Sequence, residues 1–134
     1  MSNLKSLSIN DVVEPIELEP VNRLDLIKYA GASDDYNPIH TIDREAEKAG
    51  LPGIIAHGMW TMGNLSRLFS QHIEEGYIED YRVRFTGMVF LDDVLTLQGK
   101  LVDREDSLLI FDVNVAKQDG QKVIQGQVSF RLWE

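Results

Sequence analysis

Apolar and polar positions alternate through the last third of the chain. Tyr81, Val83 and Phe85 are separated by Arg82 and Arg84, and Leu95, Leu97 and Leu101 by Thr96, Gln98 and Lys100. Leu109, Phe111, Val113 and Val115 are separated by Ile110, Asp112 and Asn114, and Ile124, Val128, Phe130 and Leu132 by Gln125, Gln127, Ser129 and Arg131. Period two is the mark of a strand with one buried face. Asp119-Gly120, between the last two runs, predicts a hairpin turn. Upstream the period lengthens. In HGMWTMGNLSRLFSQHIEEG, Met59, Met62, Leu65, Ser66, Phe69 and Ile73 recur every three or four residues, while Trp60, Leu68 and the small Thr61 and Gly63 widen the apolar surface. This predicts a long helix, apolar nearly all round and therefore buried, that Gly76 ends.

The first third is less regular. Val12–Val21 is short and acidic and carries Pro15 and Pro20. It reads as an edge strand, because proline removes a ladder donor. Asn22 caps a helix with Asp25 in its first turn, and Gly31 is its stop. Residues 31–57 form a long connection, of a length uncommon in compact domains unless it carries function. Within it, Thr41 or Asp43 starts a short helix that Gly50 and Pro52 end. One buried helix followed by four antiparallel strands predicts an α+β domain over residues 1–134, a curved sheet wrapped round a central helix.

Composition narrows the function classes. Thirteen Lys and Arg against 22 Asp and Glu give a net charge of −9. That argues against nucleic acid or an anionic membrane as partner, since both need clustered cations. The absence of cysteine excludes disulfides, thiolate zinc sites and a thiol nucleophile, and fits a cytoplasmic location. The N-terminus lacks the apolar run of a secretory leader, and no stretch reaches the ~18 apolar residues of a membrane span.

Candidate chemistry gathers in DDYNPIHTID, residues 34 to 43. Pro38 disfavours the helical conformation at Asn37, so Asp35 to His40 is bent and extended. Either this is a solvated turn, or the bend aims Asp35 and His40 at one point. Asn37 reads as the turn-former, Asp34 as a surface acid, His57 as a packed or helix-entry residue, and His72 as surface. No serine stands on a nucleophile elbow. His40, His57 and one Asp lack the spacing of a metal motif, so neither a metal nor another cofactor is expected.

These residues carry a resemblance. YAGASDDYNPIH, GLPGIIAHGMWTMGNLS and, more loosely, RFTGMVFLDDVL cover most of residues 29–95. They resemble the MaoC-like hydratase/dehydratase family of hotdog-fold proteins, which includes (R)-specific enoyl-CoA hydratases. The likeness is nearest to catalytic subunits of 3-hydroxyacyl-thioester dehydratases. The resemblance implies that Asp35 and His40 are an acid–base pair acting on water and an acyl thioester of coenzyme A or acyl carrier protein. It implies Gly58 as the oxyanion donor and Ser66 as a supporting residue. It also implies a homodimer, or a heterodimer with another hotdog subunit. Arg82 and Arg84 are a solvated strand face or contacts to a coenzyme A phosphate. Three positions depart from the family pattern: it usually has Gly at Asp34, Pro at Met88, and Gly-Asp at Asp92-Asp93. A hotdog thioesterase and a non-catalytic acyl-thioester-binding subunit remain alternative readings at this point.

Overall fold

The structure, a computed structural model, describes residues 3–134. Its chain order is a short strand β1 (Ile16–Glu17), helices α1 (Arg23–Ser33), α2 (Asp43–Lys48), α3 (Gly58–Leu65) and α4 (Arg67–Ser70), then strands β2 (Gly76–Phe85), β3 (Thr96–Glu105), β4 (Leu108–Ala116) and β5 (Lys122–Leu132). The strands form one antiparallel sheet in the order β1-β3-β4-β5-β2. This is the helix-and-curved-sheet architecture that the residue pattern predicts.

The alternating strand residues make one face of the sheet the core. Leu97, Leu101, Leu109, Phe111, Val115 and Val128 are all fully buried. Each such side chain contributes roughly 1.5–3 kcal/mol by leaving water. Phe69 brings the helix to this face, its ring 5.0 Å from Phe111 and 6.1 Å from Phe130. The Asp119-Gly120 turn closes β4 onto β5, with Gly120 at φ 88° and Lys117 N–H donating to Gln121 O. The Val12–Val21 segment does run along the outer edge of β3. Its prolines cut the pairing to Ile16–Glu17, an isolated bridge from Val12 to Lys100, and single bonds such as Val13 N–H to Gly99 O.

The central helix differs in detail from the periodic reading. It breaks at Ser66, and its second segment stops at Ser70, so Gly76 opens β2 instead of ending a helix. The break has a local cause. Asn64 Nδ2 donates to Trp60 O, and Ser66 Oγ donates to Gly63 O at 2.6 Å; such side-chain bonds compete with the helical ladder. The buried stripe is Thr61, Leu65, Leu68, Phe69 and His72, whereas Met59 and Ile73 are 57% and 69% exposed. A single curved sheet covers only one side of the helix.

His72 therefore lies in the core and not on the surface, three residues after Phe69 and four after Leu68. Its Nδ1 bonds Glu75 Oε2 at 2.8 Å. The same carboxylate accepts the Leu4 and Lys5 N–H groups. Burial would raise the Glu75 carboxyl, but these donors outweigh it and leave the group below its ordinary range.

Candidate active site

The bend at residues 34–40 is built from its own side chains. Asn22 starts α1 by accepting the Asp25 N–H. The helix runs two residues past Gly31 and ends with Asp34 in the left-handed conformation, φ 61°. That turns the chain back across the end of α1. Asp35 Oδ1 accepts the Asn37 N–H at 3.2 Å. Asn37 Oδ1 accepts the Ile39 N–H and opens a 3-10 turn over Pro38–His40, with Pro38 in its first turn. Asn37 is thus the turn-former, and one Asp35 oxygen is spent on local structure.

The remaining atoms face each other. Asp35 Oδ2 lies 4.0 Å from His40 Nε2. The Asp35 side chain is half exposed, and that of His40 is 10% exposed. His40 Nδ1 sits 2.7 Å from the Ile55 carbonyl oxygen. A carbonyl only accepts, so Nδ1 carries the hydrogen, and the neutral ring presents a bare lone pair at Nε2. The segment around Ile55 is itself anchored, by Ile55 N–H to Ile39 O and Ala56 N–H to Val89 O.

Gly58 is the first residue of α3, and its N-cap, His57, makes no side-chain cap. The Gly58 N–H has no helical acceptor, and no group among the described residues takes it. It stands at the positive end of the helix. Gly58 and His40 line one cavity of about 180 Å³, with Thr61, Phe85, Met88 and Ile124 among its other walls. Phe85 covers Gly58 closely enough that a Cβ there would lie 2.9 Å from its ring. A larger hollow of about 470 Å³ lies against the N-terminal segment, between Leu4, Val13, Pro15 and His72. Its wall carries two acid–base side chains, Glu14 and His72, and His72 is committed to Glu75.

Three residues join the site that residue types alone did not single out for it. Thr61, one helical turn after Gly58, is buried on the cavity wall; the three-residue spacing was the available signal. Phe85 comes from the far end of β2. His57 stacks on His40, ring centroids 3.8 Å apart, and its Nε2 is 3.2 Å from the Asp35 carbonyl oxygen. Burial lowers the His57 pKa below 6.5, against the opposing pull of the Asp35 carbonyl. Ser66 stands outside the cavity wall, its hydroxyl bonded to Gly63 O. Arg82 is exposed and paired with Asp80.

Asp35, His40 and His57 offer three ligand atoms within 4.8 Å of one another. The two imidazole planes lie at 24° in a stack. One nitrogen of each ring is already bonded to a carbonyl.

The profile of the MaoC like domain matches residues 6–124. The chain belongs to the MaoC-like domain family. Among relatives of this MaoC-like chain is the fatty acid synthase subunit beta of Aspergillus oryzae, 36% identical over 110 residues, covering 78% of this chain and 5% of the relative. The mitochondrial 3-hydroxyacyl-[acyl-carrier-protein] dehydratase of Arabidopsis thaliana is 29% identical over 100 residues, covering 74% of this chain and 59% of the plant protein. The chain thus spans about a twentieth of the fungal synthase subunit it matches. The solved (R)-hydratase from A. caviae involved in PHA biosynthesis superposes with a TM-score of 0.87 at 21% identity, over 96% of this chain and 99% of that one. That likeness places the MaoC-like chain in the hotdog fold.

Two departures from the family pattern have one backbone explanation. Asp34 and Asp92, where the family usually has glycine, adopt φ 61° and 70°. Glycine enters that region freely, and aspartate is one of the few other residues that tolerates it. Asp93, which keeps the family residue, is buried and bonded to Lys117, Gln118 and the Phe90 N–H. Met88, in place of the usual proline, is half exposed on the cavity wall.

Proposed function

We propose that this chain interconverts trans-2-enoyl and (R)-3-hydroxyacyl thioesters by adding or removing water. The observation that carries the reading is the 4.0 Å gap between Asp35 Oδ2 and His40 Nε2. One water at hydrogen-bond distance, about 2.8 Å, from both atoms fits across it. Asp35 and His40 are the catalytic pair of this reading, with Asn37 shaping their turn.

In the hydration direction the water donates hydrogen bonds to the carboxylate and to the bare imidazole nitrogen. As its oxygen bonds to Cβ, one of the pair takes its proton, and the π electrons move toward Cα and the thioester oxygen. The Gly58 N–H donates to that oxygen while it carries negative charge. The same pair then returns a proton to Cα, so that H and OH have added across the double bond. Dehydration is the reverse. An oxyanion donor of this kind typically contributes about 3 kcal/mol to the transition state. The names of the plant dehydratase and the A. caviae hydratase support this reaction class.

The same reading includes a dimer in the cytoplasm. β2 is an outer strand of the sheet, and Met59, Ile73, Tyr77 and Phe85 are exposed on or near it. Joining two β2 edges would cover them, in a homodimer or with another hotdog subunit. A net charge of −9 repels an acidic carrier protein unless a local basic patch meets it, which slightly favours coenzyme A over acyl carrier protein.

The test is hydration of short and medium trans-2-enoyl-CoA esters by wild type, Asp35→Asn and His40→Ala, with thiol release followed in parallel. General acid–base roles predict a loss of kcat of about 10²-fold or more in both variants with folding intact. Equal rates in all three proteins, or thiol release instead of hydration, would end the assignment.

A further inference from the structure

We propose that His57 is a positioning residue that holds both members of the Asp35–His40 pair, an inference that rests on the hydratase reading above. Its ring stacks on His40 at 3.8 Å and 24°. Its Nε2 lies 3.2 Å from the Asp35 carbonyl oxygen, so Nε2 carries the hydrogen and donates it. One side chain thus fixes the imidazole through its face and the aspartate through its backbone. Tyr29 also packs on His57, edge-on at 4.9 Å and 66°. With these two ring contacts, His57 is only 2% exposed.

Packing alone does not account for a histidine here. With the hydrogen on Nε2, Nδ1 of the neutral ring is a bare acceptor, and it is buried without a hydrogen-bond partner among the described residues. Buried polar atoms are nearly always satisfied, and one that is not calls for a reason. Phenylalanine would fill the same space with no orphan nitrogen. Glutamine would offer the same donor with no ring. An imidazole presents both a flat face to His40 and an N–H to Asp35. Its neutrality matters as well: two charged rings 3.8 Å apart would repel.

The experiment compares His57→Phe and His57→Gln with wild type, Asp35→Asn and His40→Ala in the full chain, measuring enoyl-CoA hydration and thermal unfolding. His57→Phe is expected to lower kcat about 10- to 100-fold, as small misplacements of a catalytic group do, with KM within about 3-fold. Its Tm should equal or exceed that of wild type, because the bare nitrogen is gone. His57→Gln, whose Nε2 keeps the donor, should recover part of the kcat. Wild-type kcat in His57→Phe beside nearly inactive Asp35→Asn and His40→Ala overturns this proposal alone. A kcat loss that simply follows a large drop in Tm overturns it too, as plain packing. Wild-type rates in Asp35→Asn and His40→Ala overturn the hydratase reading and this inference with it.

Discussion

The Phe85 ring lies against Gly58 with no room for a side chain: a Cβ at residue 58 would sit 2.9 Å from Phe85 Cε1 and 3.0 Å from Cδ1. Phe85 is 53% exposed in the single chain. The Phe85 side chain from β2 and the Gly58 backbone of α3 both line the cavity that His40 lines.

This contact separates packing from chemistry. Gly58→Ala should cost about 1–2 kcal/mol, because overpacking costs ~1–3 kcal/mol and the better helix former returns up to ~1 kcal/mol. Gly58→Ala/Phe85→Ala should recover most of that stability in urea unfolding. Hydration should stay low in both, since the added methyl group stands where the thioester oxygen must approach the Gly58 N–H. Recovery of full activity in the double variant would remove Gly58 from the proposed oxyanion site.

The left-handed aspartates predict an order of stability. At both residue 34 and residue 92, Ala should be least stable, losing roughly 1 kcal/mol against Asp, because a Cβ without a local hydrogen-bonding group is penalised by ~1–2 kcal/mol in that region. Gly should match Asp to within about 1 kcal/mol, its backbone ease offset by its greater unfolded-state entropy. Chemical denaturation of the four single variants checks this. An alanine as stable as glycine at either site would contradict the backbone explanation.

Lys117 Nζ lies 3.0 Å from Asp93 Oδ2, and both side chains are only 10% exposed. Burial would raise the Asp93 carboxyl, but Gln118, the Phe90 N–H and Lys117 outweigh it and hold it below its ordinary 3.8. A depressed carboxyl stabilises the fold above its unfolded pKa and loses that contribution as pH falls through the folded value. Lys117→Met leaves a buried charge without its cation and should cost about 3–5 kcal/mol at pH 7. The difference from wild type should shrink as pH falls below the ordinary 3.8 and through the lower value at which folded Asp93 takes up its proton. Unfolding measured from pH 7 down to pH 3 tests both, and a gap that widens on acidification would refute the assignment.

Ser66 was a candidate supporting residue, but its hydroxyl is spent on Gly63 O at 2.6 Å. Ser66→Ala should keep kcat/KM within about 2-fold of wild type, with stability changed by no more than about 1 kcal/mol. A tenfold fall in kcat would return Ser66 to the site.

Much of this arrangement was legible in local residue order, wherever a short-range rule acts alone. Alternation named the inward residues of β3, β4 and β5, because a pleat sends neighbours to opposite faces. Asp119-Gly120 named its hairpin, and Asn22 its cap. Asn37-Pro38 named the bend, because both side chain and ring act on backbone within two residues. The helix was harder. A sequence apolar on several sides does not say which side meets the sheet, so the buried stripe came out through His72 and Leu68 and not through Met59 and Ile73.

By itself the sequence determined the elements, the hotdog class that their order and motifs indicate, and the short stretch that presents Asp35 and His40. Only the tertiary structure decided that His57, 22 residues after Asp35, clasps its carbonyl, that Phe85 closes over Gly58, and that Lys117 neutralises Asp93. Turns and pleats are set by neighbours along the chain, where the backbone itself carries the information. Contacts between distant segments depend on how far the sheet curls and how the helix is rotated against it, and those follow from the packing of the whole core at once.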